Sequence, residues 1–169
     1  MRLAFVADGR SPIARSWIEH FVRGGHTVHL ISTRSCAGMD GLASLEIVPL
    51  GPRPAGAQGE RRSQRNLALL TALRHWFGPW YVARRASMLR GILRQLGADV
   101  VHAMRLPFEG MLAAAADPAA PLVVSTWGND LTLHAPATPQ MRWATWRALR
   151  RAAALHTDCE RDARLAQRW

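Results

Sequence analysis

The sequence predicts an α/β fold: one domain built on a doubly wound parallel sheet. Three observations predict it. Short apolar runs recur along the 169 residues without the alternation of a half-solvated sheet, as in strands buried on both faces. A helical pattern separates the first two runs, giving β-α-β in about thirty residues, a parallel unit with a right-handed crossover. Hydrophobic residues make up 49% of the chain, which argues against disorder. A single domain of this length can bury roughly 68–70% of its unfolded surface.

Arg2–Ala7 (RLAFVA) is the first strand, and Asp8-Gly9-Arg10 turns the chain. Ser11-Pro12 starts a helix. The serine hydroxyl can cap free amides of the first turn, and proline suits a position whose N–H has no partner. Ile13, Trp17, Phe21 and Val22 follow at helical spacing, and Gly24-Gly25 stops the helix. His26–Ser32 is the second strand and Leu45–Leu50 the third. Gly51–Gly59, rich in Gly, Pro and Ala, reads as a loop within the domain. Ser63–Phe77 is helical by pattern. Gly78-Pro79 predicts the end of that helix and the start of another reaching Leu96, with Leu89, Ile92, Leu93 and Leu96 as its apolar stripe. Ala98–Met104 is the fourth strand, Phe108–Ala116 an Ala-rich helix, Pro121–Thr126 the fifth strand and Ala153–Thr157 the sixth. Cys159–Arg168 has a helical pattern with no glycine cap, and Trp169 follows inside it. We therefore expect a longer protein from which a further part is missing.

In an open parallel sheet, ligands bind beyond the carboxyl ends of the strands, where strand order reverses. Strand one should lie beside strand four at that point. The candidate binding residues are Gly9, Arg10 and Ser11 after strand one, His102 and Arg105 at the end of strand four, and Trp127, Gly128, Asn129 and Asp130 after strand five. Gly9 lets backbone approach a ligand, and the helix after it offers free N–H groups to a phosphate or sugar oxygen. Trp127 can stack on a sugar ring, Gly128 permits a tight turn, and Asn129 and Asp130 can accept hydrogen bonds from vicinal hydroxyls. The same stretches also fit an ordinary βα turn and a capping turn, and His102 also fits a satisfied core histidine.

Several chemistries lack their residues. There is no G-x-G-x-x-G for a dinucleotide, and a P-loop needs a lysine, of which the chain has none. No Gly-x-Ser-x-Gly elbow and no spaced carboxylate pair is present, so no catalytic residue is assigned. Cys36 and Cys159 form no Cys-x-x-Cys pair, and no metal site is expected.

These stretches resemble the N-terminal domain of group 1, family 4-like, retaining glycosyltransferases of the GT-B fold. Arg23-Gly24-Gly25-His26-Thr27-Val28 is similar to the family's "GHEV" approach to strand two, and Ala98-Asp99-Val100-Val101-His102 to its "PDVVH" strand. Leu122 to Asp130 (LVVSTWGND) resembles "P-V-V-x-T-x-HGSD", and Thr157-Asp158-Cys159 through Leu165 resembles "S-x-x-x-x-x-x-L". Trp127 stands where many members carry histidine, so that histidine's role does not transfer. The resemblance implies a Rossmann-like, acceptor-binding domain over residues 1–169, with the C-terminal, donor-binding domain absent. It implies transfer of a sugar from a nucleotide-sugar to an acceptor hydroxyl with retention, without a cofactor or metal. The nucleotide-sugar would be a co-substrate held mainly by the missing domain, and this part alone would be inactive. Cell-surface polysaccharide or glycolipid synthesis is the expected setting, with a sugar or lipid-linked acceptor. Two alternatives stay open: a standalone nucleotide- or sugar-phosphate-binding module, and a non-catalytic membrane-surface domain.

The formal net charge is +10, and all 22 basic residues are arginine. GC-rich codon usage accounts for such a bias equally well. Arg61–Leu96 interleaves Trp76, Phe77, Trp80 and Tyr81 with Arg74, Arg84, Arg85, Arg90 and Arg94. That pattern suits an anionic membrane surface, and equally two surface helices whose aromatics face the core. No nucleic-acid motif is visible, and no nucleic-acid partner is expected. No apolar run suits a signal peptide or a membrane span, so a cytoplasmic protein is expected, peripheral on the inner membrane face if it docks.

Overall fold

The structure, a computed structural model, describes residues 1–50 and 64–169. The loop expected over Gly51–Gly59 and the helix start at Ser63 lie outside the described residues. The strands are β1 (Arg2–Ala7), β2 (Thr27–Ser32), β3 (Ser44–Ile47), β4 (Val100–Ala103), β5 (Leu122–Thr126) and β6 (Ala154–Thr157). They form one sheet in the order β3-β2-β1-β4-β5-β6, and every pairing is parallel. All six expected strands are present. β1 keeps its expected bounds, β3 starts one residue earlier and ends three earlier, and the other strands draw in by one or two residues at one or both ends.

The helices are α1 (Pro12–Arg23), α2 (Gln64–Leu96), α3 (Met111–Ala116), α4 (Pro139–Arg151) and α5 (Glu160–Ala166). Helix α1 starts as its sequence dictates, with the Ser11 hydroxyl accepting from the Ala14 amide. Ala14 and Ile18 of α1 pack with Leu3, Phe5, Val28 and Leu30 on one sheet face. On the other face, Val82, Leu89 and Leu93 of α2 join α3 and α4 over Ala4, Val6, Val101 and Val124. Helix α4, whose apolar face is Met141, Ala144 and Ala148, is an element the sequence reading did not resolve. Helix α5 ends at Ala166, short of the expected Arg168.

The break expected at Gly78-Pro79 does not occur: α2 runs through both residues. Proline in a helix removes a hydrogen bond to the carbonyl four residues earlier. That carbonyl belongs to His75, and the Thr138 hydroxyl donates to it at 3.3 Å while accepting from the Met141 amide at 3.1 Å. One threonine thus replaces the missing donor and caps α4. Gly78 answers a packing demand. A Cβ there would lie 2.2 Å from Cε1 of Phe108. Phe108 itself has φ 69° within a wide turn, Leu106–Gly110, that replaces the first part of the expected Phe108–Ala116 helix.

Two glycine substitutions in α2 should therefore have opposite signs. Alanine gains about 1 kcal/mol over glycine in a helix, and overpacking a core costs about 1–3 kcal/mol. Gly91→Ala meets nothing within 4 Å and should raise the melting temperature, by about 2–4 °C per kcal/mol in a chain of this size. Gly78→Ala should lower it. Calorimetric melting of both variants checks this, and a gain in both would contradict the Phe108 contact.

Candidate functional site

The order β1-β4 places the reversal at the centre of the sheet, and a cleft of about 150 Å³ opens beyond it. From β1 come Asp8, Arg10 and Ser11. Arg10 donates Nε and Nη2 to the two oxygens of Asp8, at 3.0 and 2.8 Å, and this bidentate pair holds the Asp8 carboxyl below its usual range. From β2 comes Arg34, and from α2 Arg74. From β4 come Met104 and Arg105, and from the wide turn after it Glu109. β5 contributes Trp127 at the rim, with its ring partly exposed.

Two carboxyls are buried at this edge. Asp130 accepts from Arg105 Nε at 3.0 Å and from the Trp127 amide at 3.0 Å. Burial raises its pKa, opposed by Arg105 and by the amides of Trp127 and Leu106. Asp130 thus fixes both the Trp127 loop and the Arg105 side chain. Glu109 accepts from the Thr33 hydroxyl at 2.7 Å, and burial raises its carboxyl. Arg74 keeps part of its side chain in solvent, yet its guanidinium lies 4.1 Å from the Phe108 ring centroid and desolvation lowers its pKa.

Of the residues expected from sequence, Arg10, Ser11, Arg105 and Trp127 line the cleft. Gly9 sits behind it. Its close approach is to Cys36 Sγ, 2.5 Å from where a Cβ would be, and its amide donates to Ser32 Oγ at 3.0 Å. Gly128 and Asn129 are exposed on the loop after Trp127, and the Gly128 carbonyl accepts from Arg161 at 2.6 Å. Asp130 acts from beneath. His102 is buried below the cleft, with Nε2 2.8 Å from Ser125 Oγ and its ring 5.5 Å from that of Phe5. Sequence reasoning missed Thr33, Arg34, Arg74 and Glu109. The strand-end rule covers Thr33 and Arg34, which follow β2, next to β1. A lone acid in the apolar run Leu106–Ala116 marks Glu109. Arg74 stands out only as part of the basic aromatic segment, and nothing local marks it for the cleft.

The sequence profile of the glycosyl transferase 4-like domain matches residues 8–169. The chain belongs to that family. Solved structures similar to it include the calicheamicin glycosyltransferase CalG4, with 22% identity, a TM-score of 0.45, and coverage of 75% of this chain and 32% of that one. Another is the Streptomyces sp. SF2575 glycosyltransferase SsfS6, with 15% identity, a TM-score of 0.44, and coverage of 88% and 44%. A third is the glycosyltransferase VinC, in complex with dTDP, with 17% identity, a TM-score of 0.43, and coverage of 90% and 40%. The chain spans less than half the length of each. No curated protein sequence matches it.

The buried histidine makes stability depend on pH. Desolvation, reinforced by His156, lowers His102 from 6.5 to about 4. The unfolded chain takes up the proton first, so His102 costs nothing above the unfolded pKa, and stability falls as pH drops from about 6.5 to about 4. The loss is roughly 3 kcal/mol at about 1.4 kcal/mol per unit. His29, His75 and His134 shift the same way, so the test is a difference between proteins. Urea titrations at pH 7 and pH 4 should show a smaller acid loss in His102→Gln than in the wild type. Equal losses would remove His102 as a source.

Proposed function

We propose that this domain is the acceptor-binding half of a GT-B glycosyltransferase. In the whole protein, a sugar passes from a nucleotide-sugar to an acceptor hydroxyl with retention, in the synthesis of a surface polysaccharide or glycolipid. The nucleotide-sugar is a co-substrate held mainly by a second domain, and this half orients the acceptor. The cleft beyond the β1–β4 switch carries the reading. It puts an accessible indole, Trp127, beside a set of polar groups anchored to the sheet edge. Such a ring gives an apolar face to a pyranose, while the surrounding polar groups select hydroxyl positions. Family membership over residues 8–169 supports the same class.

We also place the domain at the inner face of an anionic membrane, through α2. Leu70, Leu73, Phe77 and Trp80 recur at i, i+3, i+7 and i+10 and are exposed, with Trp76 beside them. The Arg84 guanidinium lies 4.6 Å over Trp80, and Gln64–Leu96 contains no acidic residue. Aromatic rings with arginines and no anions match the interface of an acidic bilayer. No helix among the described residues is long and apolar enough to cross a membrane.

Saturation-transfer NMR with methyl glycosides tests the cleft. Transfer to ring protons of at least one glycoside should occur and fall to background in Trp127→Ala; none with any common hexoside would reject the assignment. Co-sedimentation tests the surface. The chain should pellet with phosphatidylglycerol vesicles at low salt and be released at high salt, and Trp76→Ala/Trp80→Ala should weaken binding. Absence of pelleting at low salt would remove the membrane role.

A further inference from the structure

We propose that the cleft selects an anionic acceptor: a polyol or sugar head bearing a phosphate ester close to the hydroxyl that is glycosylated. This rests on the reading of the cleft as the acceptor site. Four arginines border it, and their charges are unequally compensated. Arg10 is neutralised by the bidentate Asp8. Arg105 spends Nε on Asp130, and no hydrogen bond to a described residue occupies its outer two nitrogens. Among the described residues, no hydrogen bond or ion pair satisfies the guanidinium of Arg34 or of Arg74. These cations also sense one another: Arg34 and Arg105 both act electrostatically on Arg74, opposed by Glu109 and Asp8.

Among the described residues, Glu109 is one acidic group beside Arg34, Arg74 and Arg105 at the cleft. Glu109 is buried and accepts from the Thr33 hydroxyl, and burial raises its carboxyl while Arg74 and Arg105 oppose that shift. Three guanidiniums at one cleft, one of them laid against Phe108, offer converging donors to an anion. Guanidinium forks match the oxygens of a phosphate, and tetrahedral phosphate can meet several forks at once, where a carboxylate offers two coplanar oxygens. The amino end of α1, twelve residues long and with no acid in its first turn, adds positive potential on the same side. The cleft's 150 Å³ is below the roughly 300–1,000 Å³ of pockets that enclose larger ligands, which fits a compact head group.

Calorimetric titration of the 169-residue chain with sn-glycerol 3-phosphate, inorganic phosphate and glycerol, at ionic strength fixed with chloride, tests the proposal. The phosphate ester should bind about tenfold or more tighter than glycerol, the worth of one charged hydrogen bond of about 1.5 kcal/mol or more. Arg34→Gln and Arg74→Gln should each weaken that binding about tenfold, while Arg94→Gln, on an exposed part of α2, should leave it unchanged. Thermal melting of each variant establishes that it is folded, and Arg34→Gln serves if loss of the Phe108 contact unfolds Arg74→Gln. Equal affinity for ester and glycerol overturns the proposal, as does an Arg94→Gln loss as large as the others, which marks diffuse attraction. Binding of UDP through Arg34 and Arg74 without binding of the ester also overturns it, and assigns the cations to the donor diphosphate. Glycoside contact at Trp127 without preference for phosphate overturns only the anionic acceptor. Phosphate binding with no glycoside contact at Trp127 overturns the acceptor reading as well.

Discussion

Because all five pairings in the sheet are parallel, every strand sends its following loop to the same edge, and the chemistry of the domain is confined there. The strand interiors hold apolar side chains against helices on both faces, from Phe5 and Leu30 on one side to Val6 and Val124 on the other. Polar groups with work to do collect where the ladder stops. The order β3-β2-β1-β4-β5-β6 puts the change of winding between β1 and β4, so Arg10 and Arg105 face a common gap though 95 residues apart in sequence. Antiparallel pairing of one central strand would move its loop to the opposite edge and dismantle the cleft.

The edge tolerates two buried carboxyls by different means. Asp130 has a cation and backbone amides as partners, so its charge is compensated in place, and the cost of leaving water is offset by charge-assisted hydrogen bonds. Removing Arg105 would strand that carboxylate, an outcome far costlier than the net worth of the pair. Glu109 has one hydroxyl, and its cations act at longer range, so enclosure dominates and its carboxyl shifts toward the neutral form. Asp130 thus builds the loop that presents Trp127, and Glu109 stays buried against Thr33 beside the arginines.

The fold was legible because its signals are local. Uninterrupted apolar runs identify strands buried on both faces, and Ser11-Pro12 identifies a helix start by the hydrogen bond the structure forms. Gly78-Pro79 misled for a tertiary reason: the donor that rescues the His75 carbonyl is Thr138, 63 residues away, and the ring that requires Gly78 arrives from the turn after β4. Half of the cleft followed from the strand-end rule. Arg74 reaches it from a helix, where no rule of adjacency applies. Gly9 and His102 had the right address but another occupation, since a βα turn and a core histidine place the same residue types at the same positions.

Helix α2 ties the two proposed contacts of this domain together. Arg74 borders the cleft, and like it Phe77 and Trp80, three and six residues on, are exposed to solvent. At about 1.5 Å per residue, the backbone positions of Arg74 and Trp80 stand about 9 Å apart along the helix axis. The helix is locked at this point by Thr138 on the His75 carbonyl and by Phe108 against Gly78, so Arg74 and the stripe move as one body. If the stripe lies on an anionic bilayer, the cleft is held at head-group depth, and an acceptor anchored in that bilayer need present only its phosphate and first polyol. Neither contact then has to be strong. Shared attachment to a surface raises the effective concentration of the acceptor, and a small cleft with a few undercompensated arginines is enough to choose among head groups.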